Sequence, residues 1–201
     1  TAIISGAALI NALELANKKI GEIKMVICGA GAAAISCAKM YKSLGVKKKN
    51  MLMFDSKGLI NVKRKNLSLE KKLFSSKNIE IESLADAVNG SDVFIGLSKA
   101  DMMSKEMLLS MNKNPIVFAM ANPDPEISYK VAVKTRDDII MATGRSDHPN
   151  QVNNVLGFPF IFRGALDVRA VKINEKMKMA AVYSLAKLAK EPVPEYVNII
   201  Y

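Results

Sequence analysis

A short apolar run that ends in a glycine turn constrains this chain more than any other feature. Residues 24–28 are Lys-Met-Val-Ile-Cys, and they run directly into the motif Gly29-x-Gly31-x-x-Ala34. A helical pattern of apolar side chains continues from there to Leu44. A buried strand, a tight turn and a helix in this order form the first βα unit of a dinucleotide-binding fold.

The small residues of this turn have separate tasks. Gly29 permits the turn, Gly31 lets the backbone approach a pyrophosphate, and Ala34 keeps the helix close to the strand. The anion would lie on the unpaired N–H groups at the positive end of the helix. The residues expected to bind the cofactor here are Gly29, Ala30, Gly31, Ala32, Ala33 and Ala34.

A second apolar run ends on the acid that strengthens this motif. Residues 51–54 are apolar and lead into Asp55. Asp55 lies about 20 residues beyond Ala34, close to the usual spacing of the acid that binds the adenosine ribose. A glycine motif alone is a weak signal, and its alternative explanation is a structural turn without a ligand. The acid at this spacing favours the dinucleotide site.

Strand and helix patterns alternate along the rest of the chain. Further strands are predicted at 51–55, 92–98, 115–121 and 139–144. Further helices are predicted at 2–19, 70–74, 83–88, 105–111, 155–170 and 174–190. This alternation predicts the α/β class, with a doubly wound parallel sheet (Rossmann-type) and C-terminal helices.

Polar residues fall where these strands end. Ser98 follows the third strand, Asn122 the fourth, and the loop 145–154 the fifth. Ligands of doubly wound sheets bind outside the carboxyl ends of the strands, so these residues are expected beside the glycine turn. An Asx turn before proline is the alternative for Asn122. For Asn153 and Asn154 the alternative is capping of the following helix.

Composition excludes several other classes of protein. Half of the 201 residues are hydrophobic, which suits one α/β domain with a sizeable core. No apolar stretch is long enough for a transmembrane helix, so we expect no membrane partner. The net charge is +10, but the 29 Lys and Arg residues are spread along the chain and Trp is absent. Without basic stretches interleaved with aromatic residues, no nucleic-acid partner is predicted.

The termini and the cysteines indicate the compartment. The chain begins at Thr1 without the basic region of a signal peptide, and we expect a processed or excised piece of a larger protein. Cys28 and Cys37 are the two cysteines, one in the first strand and one in the following helix. Both are predicted to be buried thiols in a reducing cytoplasm.

Several motifs together resemble the malic enzymes, in particular the bacterial type. The matching stretches are Thr1–Gly6, Phe54–Gly58, Ala119–Pro123, Ala142–Asp147, Pro149–Val155 and Phe162–Asp167. The last three are the most specific. The resemblance covers essentially the whole chain and implies that residues 1–201 form the NAD(P)-binding domain of a larger malic enzyme.

This resemblance implies oxidative decarboxylation of malate to pyruvate and CO2 with reduction of NAD or NADP. It places Asn122 and Asn154 on the malate carboxylates with Asn153 close by. Ser56 and Lys57, in the matching stretch Phe54–Gly58, and Ser98, at the end of the third strand, complete the residues expected to bind the cofactor.

The same resemblance implies that the catalytic groups lie elsewhere. The family's ligands for Mg²⁺ or Mn²⁺, its general base lysine and its general acid tyrosine precede the stretch that matches Thr1. We therefore expect no catalytic residue and no metal ligand in this chain. The partners implied are the N-terminal malic enzyme domain and further copies in a homo-oligomer. The alternative is a truncated, non-catalytic nucleotide-binding remnant of a split gene.

Two positions depart from the family pattern. His148, the sole histidine, stands where the family commonly has an aromatic residue, and residues 99–101 replace a small turn that bears glycine. The second departure falls in the nucleotide site.

The choice between the two cofactors is balanced in the sequence. Asp55 favours NAD because a carboxylate repels a 2′-phosphate. The basic residues of the following loop favour NADP because they can pair with that phosphate. They are Lys57, Lys63, Arg64, Lys65 and Lys71. Lys71 falls about where NADP-dependent members of the family have a phosphate-binding lysine, so the prediction leans to NADP.

Overall fold

Five parallel strands form the centre of the fold, in a computed structural model that describes residues 1–193. The strands are β1 (Met25–Cys28), β2 (Met51–Asp55), β3 (Gly58–Leu59), β4 (Val93–Gly96), β5 (Ile116–Ala119) and β6 (Ile140–Thr143). They form one sheet in the order β3-β2-β1-β4-β5-β6. All neighbours are parallel except the short β3, which is antiparallel to β2. The chain reverses its direction of winding beside β1, which is the switch point of a doubly wound sheet.

Helices cover both faces of this sheet. Those in the described part of the chain are α1 (Ala2–Leu15), α2 (Ala32–Leu44), α3 (Leu69–Leu73), α4 (Leu84–Val88), α5 (Lys105–Ser110), α6 (Tyr129–Thr135), α7 (Phe158–Asp167) and α8 (Glu175–Leu188). The α/β class and the doubly wound sheet predicted from the sequence are confirmed.

The apolar strands divide their side chains between two cores. Met25 and Ile27 of β1 pack into a cluster with residues of α1 and α2. Val26 and Cys28 point to the opposite face and join residues of α4, α5 and α6. Successive side chains of a strand alternate between faces, so a strand buried on both sides must be apolar throughout. This explains why β1, β4 and β5 are continuous apolar runs in the sequence.

Several predicted boundaries are wrong in detail. The helix predicted at 2–19 ends at Leu15, and Asn17 follows with a left-handed φ of 54°. The segment predicted as one helix at 155–170 is a 3₁₀ turn at Asn154–Leu156 followed by α7. The helix α6 and the strand β3 were not predicted. Both are short, and such elements depend more on tertiary packing than on local pattern.

The helices and the cysteines can also be compared with what the composition predicts. Within residues 1–193, no helix has both the length and the apolar character required to cross a membrane. Cys28 and Cys37 are buried thiols that form no disulfide, as predicted.

Candidate dinucleotide site

Gly29 lies in the turn after β1, where no other residue fits. Its φ is +124°, a left-handed conformation that favours glycine. A Cβ at this position would lie 2.4 Å from the carbonyl oxygen of Leu97 in the segment after β4. The Gly29 N–H donates to the carbonyl of Phe54 in β2 over 2.9 Å. The turn is therefore held between the two strands that flank β1.

Gly31 begins α2 and has open space around it. Its φ is −80°, and a Cβ built on it would meet no atom within 4 Å. No side chain caps the helix, and Ala32 and Ala33 in its first turn are exposed. The first N–H groups of a helix have no partner within it, so this N-terminus offers donors to an anion. Ala34 is buried in the core cluster that also contains Met25 and Ile27 of β1.

Asp55 at the end of β2 is held in a cluster of cations. Arg64 donates from its two terminal nitrogens to Oδ1 and Oδ2 over 2.8 and 3.0 Å, and the Lys71 Nζ donates to Oδ2 over 2.8 Å. The Lys57 backbone N–H adds a fourth bond to Oδ1 over 3.0 Å. Burial would raise the pKa of Asp55, but the hydrogen bonds from Arg64 and Lys71 outweigh it and hold that pKa well below its usual range.

A small pocket of 280 Å³ opens at this cluster. Its lining includes Asp55, Ser56, Lys57, Arg64 and Lys71. Four of these residues were singled out from the sequence as cofactor-binding, and Arg64 only as one of several basic residues nearby. Its two-pronged contact with Asp55 depends on the path of the loop after β3, which the sequence alone does not indicate. Lys63 and Lys65 are outside this lining.

A larger cleft of 1020 Å³ connects the start of α2 with the loop after β6. Ala32, Ala33 and Asn154 line it together with the first residues of α1. The structure thus brings Asn154 and the helix N-terminus to one cleft. Asn122, Asn153 and Ser98 are outside its lining.

Ser98 follows β4 and lies beside the glycine turn. Its Oγ is 3.3 Å from the Sγ of Cys28, and its N–H donates to the Oε1 of Glu126 over 2.9 Å. Glu126 is completely buried. Nothing in the local sequence pattern distinguishes this residue from a surface glutamate.

The three asparagines are in different surroundings. Asn122 and Asn154 are exposed. The side chain of Asn153 accepts the Val155 N–H over 3.1 Å and donates to the Ser146 Oγ over 3.4 Å. Asn153 therefore caps the 3₁₀ turn, which was the alternative considered for it.

The loop after β6, which carries Asn153 and Asn154, runs back along the edge of the sheet. The Val152 N–H donates to the Thr143 carbonyl over 2.8 Å, and the Asn150 side chain donates to the Met141 carbonyl over 2.9 Å. His148 stacks on Tyr129 with ring centroids 5.4 Å apart and planes inclined by 11°. His148 therefore packs against Tyr129 as an aromatic ring.

Metal ligands are a separate question. Among residues 1–193, no group of three His, Cys, Asp or Glu side chains is placed to hold a metal ion. The open backbone at Gly31 and the cation-lined pocket at Asp55, in contrast, fit a bound dinucleotide.

A doubly wound sheet with a glycine turn at a helix start, and an acid at the end of β2, defines a dinucleotide-binding α/β domain. The chain belongs to the malic enzyme family: the family profile described as "Malic enzyme, NAD binding domain" matches residues 1–200. The resemblance stated from the sequence is thereby confirmed.

Known proteins of this family are similar along the whole chain. The NADP-dependent malic enzyme of Halomonas elongata is 53% identical over 201 residues, which are 100% of this chain and 47% of that protein. An NAD-dependent malic enzyme of Rhizobium meliloti is 50% identical over 191 residues, 95% of this chain and 25% of that protein. The crystal structure of Entamoeba histolytica malic enzyme superimposes with a TM-score of 0.90 and 39% identity, over 96% of this chain and 42% of that one. The chain thus spans half or less of the length of these relatives.

Proposed function

We propose that this chain is the cofactor-binding part of an enzyme that oxidatively decarboxylates malate, and that its preferred cofactor is NADP. The observation that carries the choice of cofactor is the state of Asp55. Its two oxygens accept four hydrogen bonds, from Arg64, Lys71 and the Lys57 backbone.

A carboxylate has about four lone-pair positions for hydrogen bonds. All of them at Asp55 are engaged, so a ribose 2′-hydroxyl would have to displace one of these donors. A 2′-phosphate brings its own negative charge and can instead accept N–H groups of Arg64 and Lys71 that Asp55 does not use. Because Arg64 and Lys71 carry two positive charges and Asp55 carries one negative charge, this pocket has a net positive charge. Relatives of both cofactor types are known, so the pocket and not the family decides the preference.

The position proposed for the rest of the dinucleotide follows from the glycine turn. The pyrophosphate lies on the N–H groups at the start of α2, over Gly31, Ala32 and Ala33. Gly29, Ala30 and Ala34 shape that turn, Ser56 and Lys57 border the adenosine side, and Ser98 lies on the opposite side of β1. When bound, the cofactor accepts a hydride from the substrate.

The exposed amides orient malate. We assign Asn122 and Asn154 to the substrate carboxylates. Asn153, whose side chain is engaged in the cap, holds the loop in place. The ligands for Mg²⁺ or Mn²⁺ and the acid–base groups come from an N-terminal malic enzyme domain, and further copies of the protein form a homo-oligomer. Buried thiols at Cys28 and Cys37 support a reducing compartment, the cytoplasm.

Titration calorimetry with NADP and NAD tests the cofactor preference. We expect the chain to bind NADP more tightly than NAD. The Lys71→Glu variant should lose about 1.5–3 kcal/mol of NADP binding, the size of one charge-assisted hydrogen bond, with a smaller change for NAD.

Lys72→Glu is the matched control. Lys72 is the next residue on α3, is exposed and does not line the pocket, so the same change of charge should leave the ratio of the two affinities unchanged. A wild-type preference for NAD, with no effect of Lys71→Glu, would contradict the proposal.

The second candidate function is a non-catalytic nucleotide-binding module. Both candidates agree with the lack of a metal-ligand cluster within residues 1–193. Fusing the chain to an N-terminal malic enzyme domain distinguishes the two, since only an enzyme part restores malate-dependent reduction of the cofactor.

A further inference from the structure

Glu126 joins the ends of two neighbouring strands. It lies in the segment between β5 and α6, and its side chain is fully buried. Its Oε1 accepts the N–H of Ser98 after β4 over 2.9 Å, and its Oε2 accepts the N–H of Ala121 after β5 over 3.1 Å. One carboxylate therefore ties together two segments that leave the sheet at the same edge.

The backbone around Glu126 reinforces this connection. The Met103 N–H donates to the Glu126 carbonyl over 3.0 Å, and the Asp101 N–H donates to the Pro125 carbonyl over 3.4 Å. Asp101 and Met103, in the segment after β4, are thus anchored to the segment after β5.

Gly96 at the end of β4 leaves room for the carboxylate. A Cβ built on Gly96 would lie 2.2 Å from the Cδ of Glu126. The site therefore needs a residue without a side chain in the strand and a long acidic side chain in the loop.

A buried carboxylate is costly unless its oxygens are paired. Desolvation raises the pKa of Glu126, and the backbone N–H groups of Ser98 and Ala121 oppose that rise. A glutamine could not replace it, because its amide has one acceptor oxygen and a donor NH₂ group that would face the second N–H. Two N–H donors that converge on one side chain require two acceptor oxygens.

We propose that Glu126 is a positioning residue of the cofactor site, which fixes Ser98 beside the glycine turn and holds Asn122, the neighbour of Ala121, at the adjacent strand end. Ser98 contacts Cys28 directly before Gly29, so a shift of Ser98 changes the wall of the site that faces the dinucleotide. The inference rests on the proposed cofactor site and adds a residue that does not touch the cofactor.

The test compares the wild-type chain with Glu126→Gln in binding of NADP and NAD. We expect both affinities to fall by about tenfold, because Ser98 is no longer held in one position beside the glycine turn. The ratio between them should stay unchanged, because Ser98 serves the part that the two dinucleotides share. Glu126→Asp keeps two acceptor oxygens on a shorter stem and should recover part of the loss.

Two further measurements separate positioning from general destabilisation. Val88→Ala removes buried volume from α4, which forms no hydrogen bond with the Glu126 carboxylate, and should lower the melting temperature without changing either affinity. Hydrogen exchange should accelerate at the Ser98 and Ala121 amides in Glu126→Gln and stay slow at Ile27 in β1.

The outcomes are distinct. If the wild type binds a dinucleotide and Glu126→Gln binds it equally well, the inference is overturned and the proposed function stands. If the wild type binds neither dinucleotide, the proposed function fails and the inference fails with it. If Val88→Ala loses as much affinity as Glu126→Gln, Glu126 has only a structural role, and the inference is also overturned.

Discussion

Gly29 and Gly31 differ in what a side chain would meet, as the separate tasks predicted for them require. At Gly29 a Cβ would collide with the backbone of Leu97, whereas at Gly31 it would enter open space. This difference supports the proposal that the first glycine serves the fold and the second serves the ligand. This difference permits a test at the level of single residues.

We expect Gly31→Val to fold like the wild type and to lose dinucleotide binding, because its side chain would occupy the place of the pyrophosphate. Thermal unfolding and titration calorimetry measure the two effects. Gly29→Val is the matched control, since its left-handed φ and the clash should cost stability directly. Unchanged affinity in Gly31→Val would contradict the dinucleotide site.

Arg136 and Asp138 connect elements on the other side of the sheet. Arg136 donates two hydrogen bonds to Asp138, over 2.8 and 2.7 Å, and others to the carbonyls of Leu108 and Met111 at the end of α5. Asp138 in turn accepts the Asn114 N–H over 2.7 Å. The pair thus fastens the end of α6 and the approach to β6 onto α5.

This ion pair predicts that the stability of the fold depends on pH. Hydrogen bonds from Arg136 lower the pKa of Asp138 to about 2. A lowered carboxyl pKa contributes stability that is complete above the unfolded pKa, about 4, and is lost as the pH falls through the folded value. We expect Asp138→Asn to be less stable than the wild type at pH 6, and the difference to shrink toward pH 2.

Chemical denaturation at several pH values measures this dependence. Asp137→Asn is the control, because the neighbouring carboxyl forms none of these contacts with Arg136. A constant difference between Asp138→Asn and the wild type across this range would contradict the role of the ion pair.

At the scale of the whole molecule, we expect the chain to supply part of a site and another domain to supply the metal ligands and the acid–base groups. The helix N-terminus and Asn154 line one cleft, and the cation pocket at Asp55 lies at the end of the next strand. We expect the purified 201-residue chain to bind dinucleotide and to show no malate-dependent reduction, even with excess Mg²⁺ or Mn²⁺. Metal and acid–base groups are both needed, and acid–base catalysis alone contributes about 10²–10⁴-fold.

Absorbance of the reduced nicotinamide, with malate and metal present, measures this activity. Adding an N-terminal malic enzyme domain, fused or as a separate chain, should produce turnover. A fusion that carries Gly31→Val should remain inactive and serves as the control. Metal-dependent turnover by the chain alone would show that the catalytic groups have been assigned to the wrong part of the protein.

The sequence by itself determined the fold class and the position of the glycine turn. Apolar runs, helical spacing and the turn from residue 29 to residue 34 are local signals, and local backbone preferences express them directly. Short elements such as α6 were missed because packing, not pattern, makes them regular. The pattern places the loop 145–154 correctly at the end of a strand, but it does not indicate that the loop runs along β6.

Only the tertiary structure decided which polar groups meet. Arg64 and Lys71 reach Asp55 from a loop and from α3, and Glu126 reaches Ser98 from the segment after a different strand. These contacts join residues 9, 16 and 28 positions apart in the chain. No periodicity encodes such pairs, because the paths of the loops follow from how the helices pack on the sheet. The positive charge of the pocket at Asp55 and the connection that Glu126 makes between the strand ends are therefore properties of the folded chain.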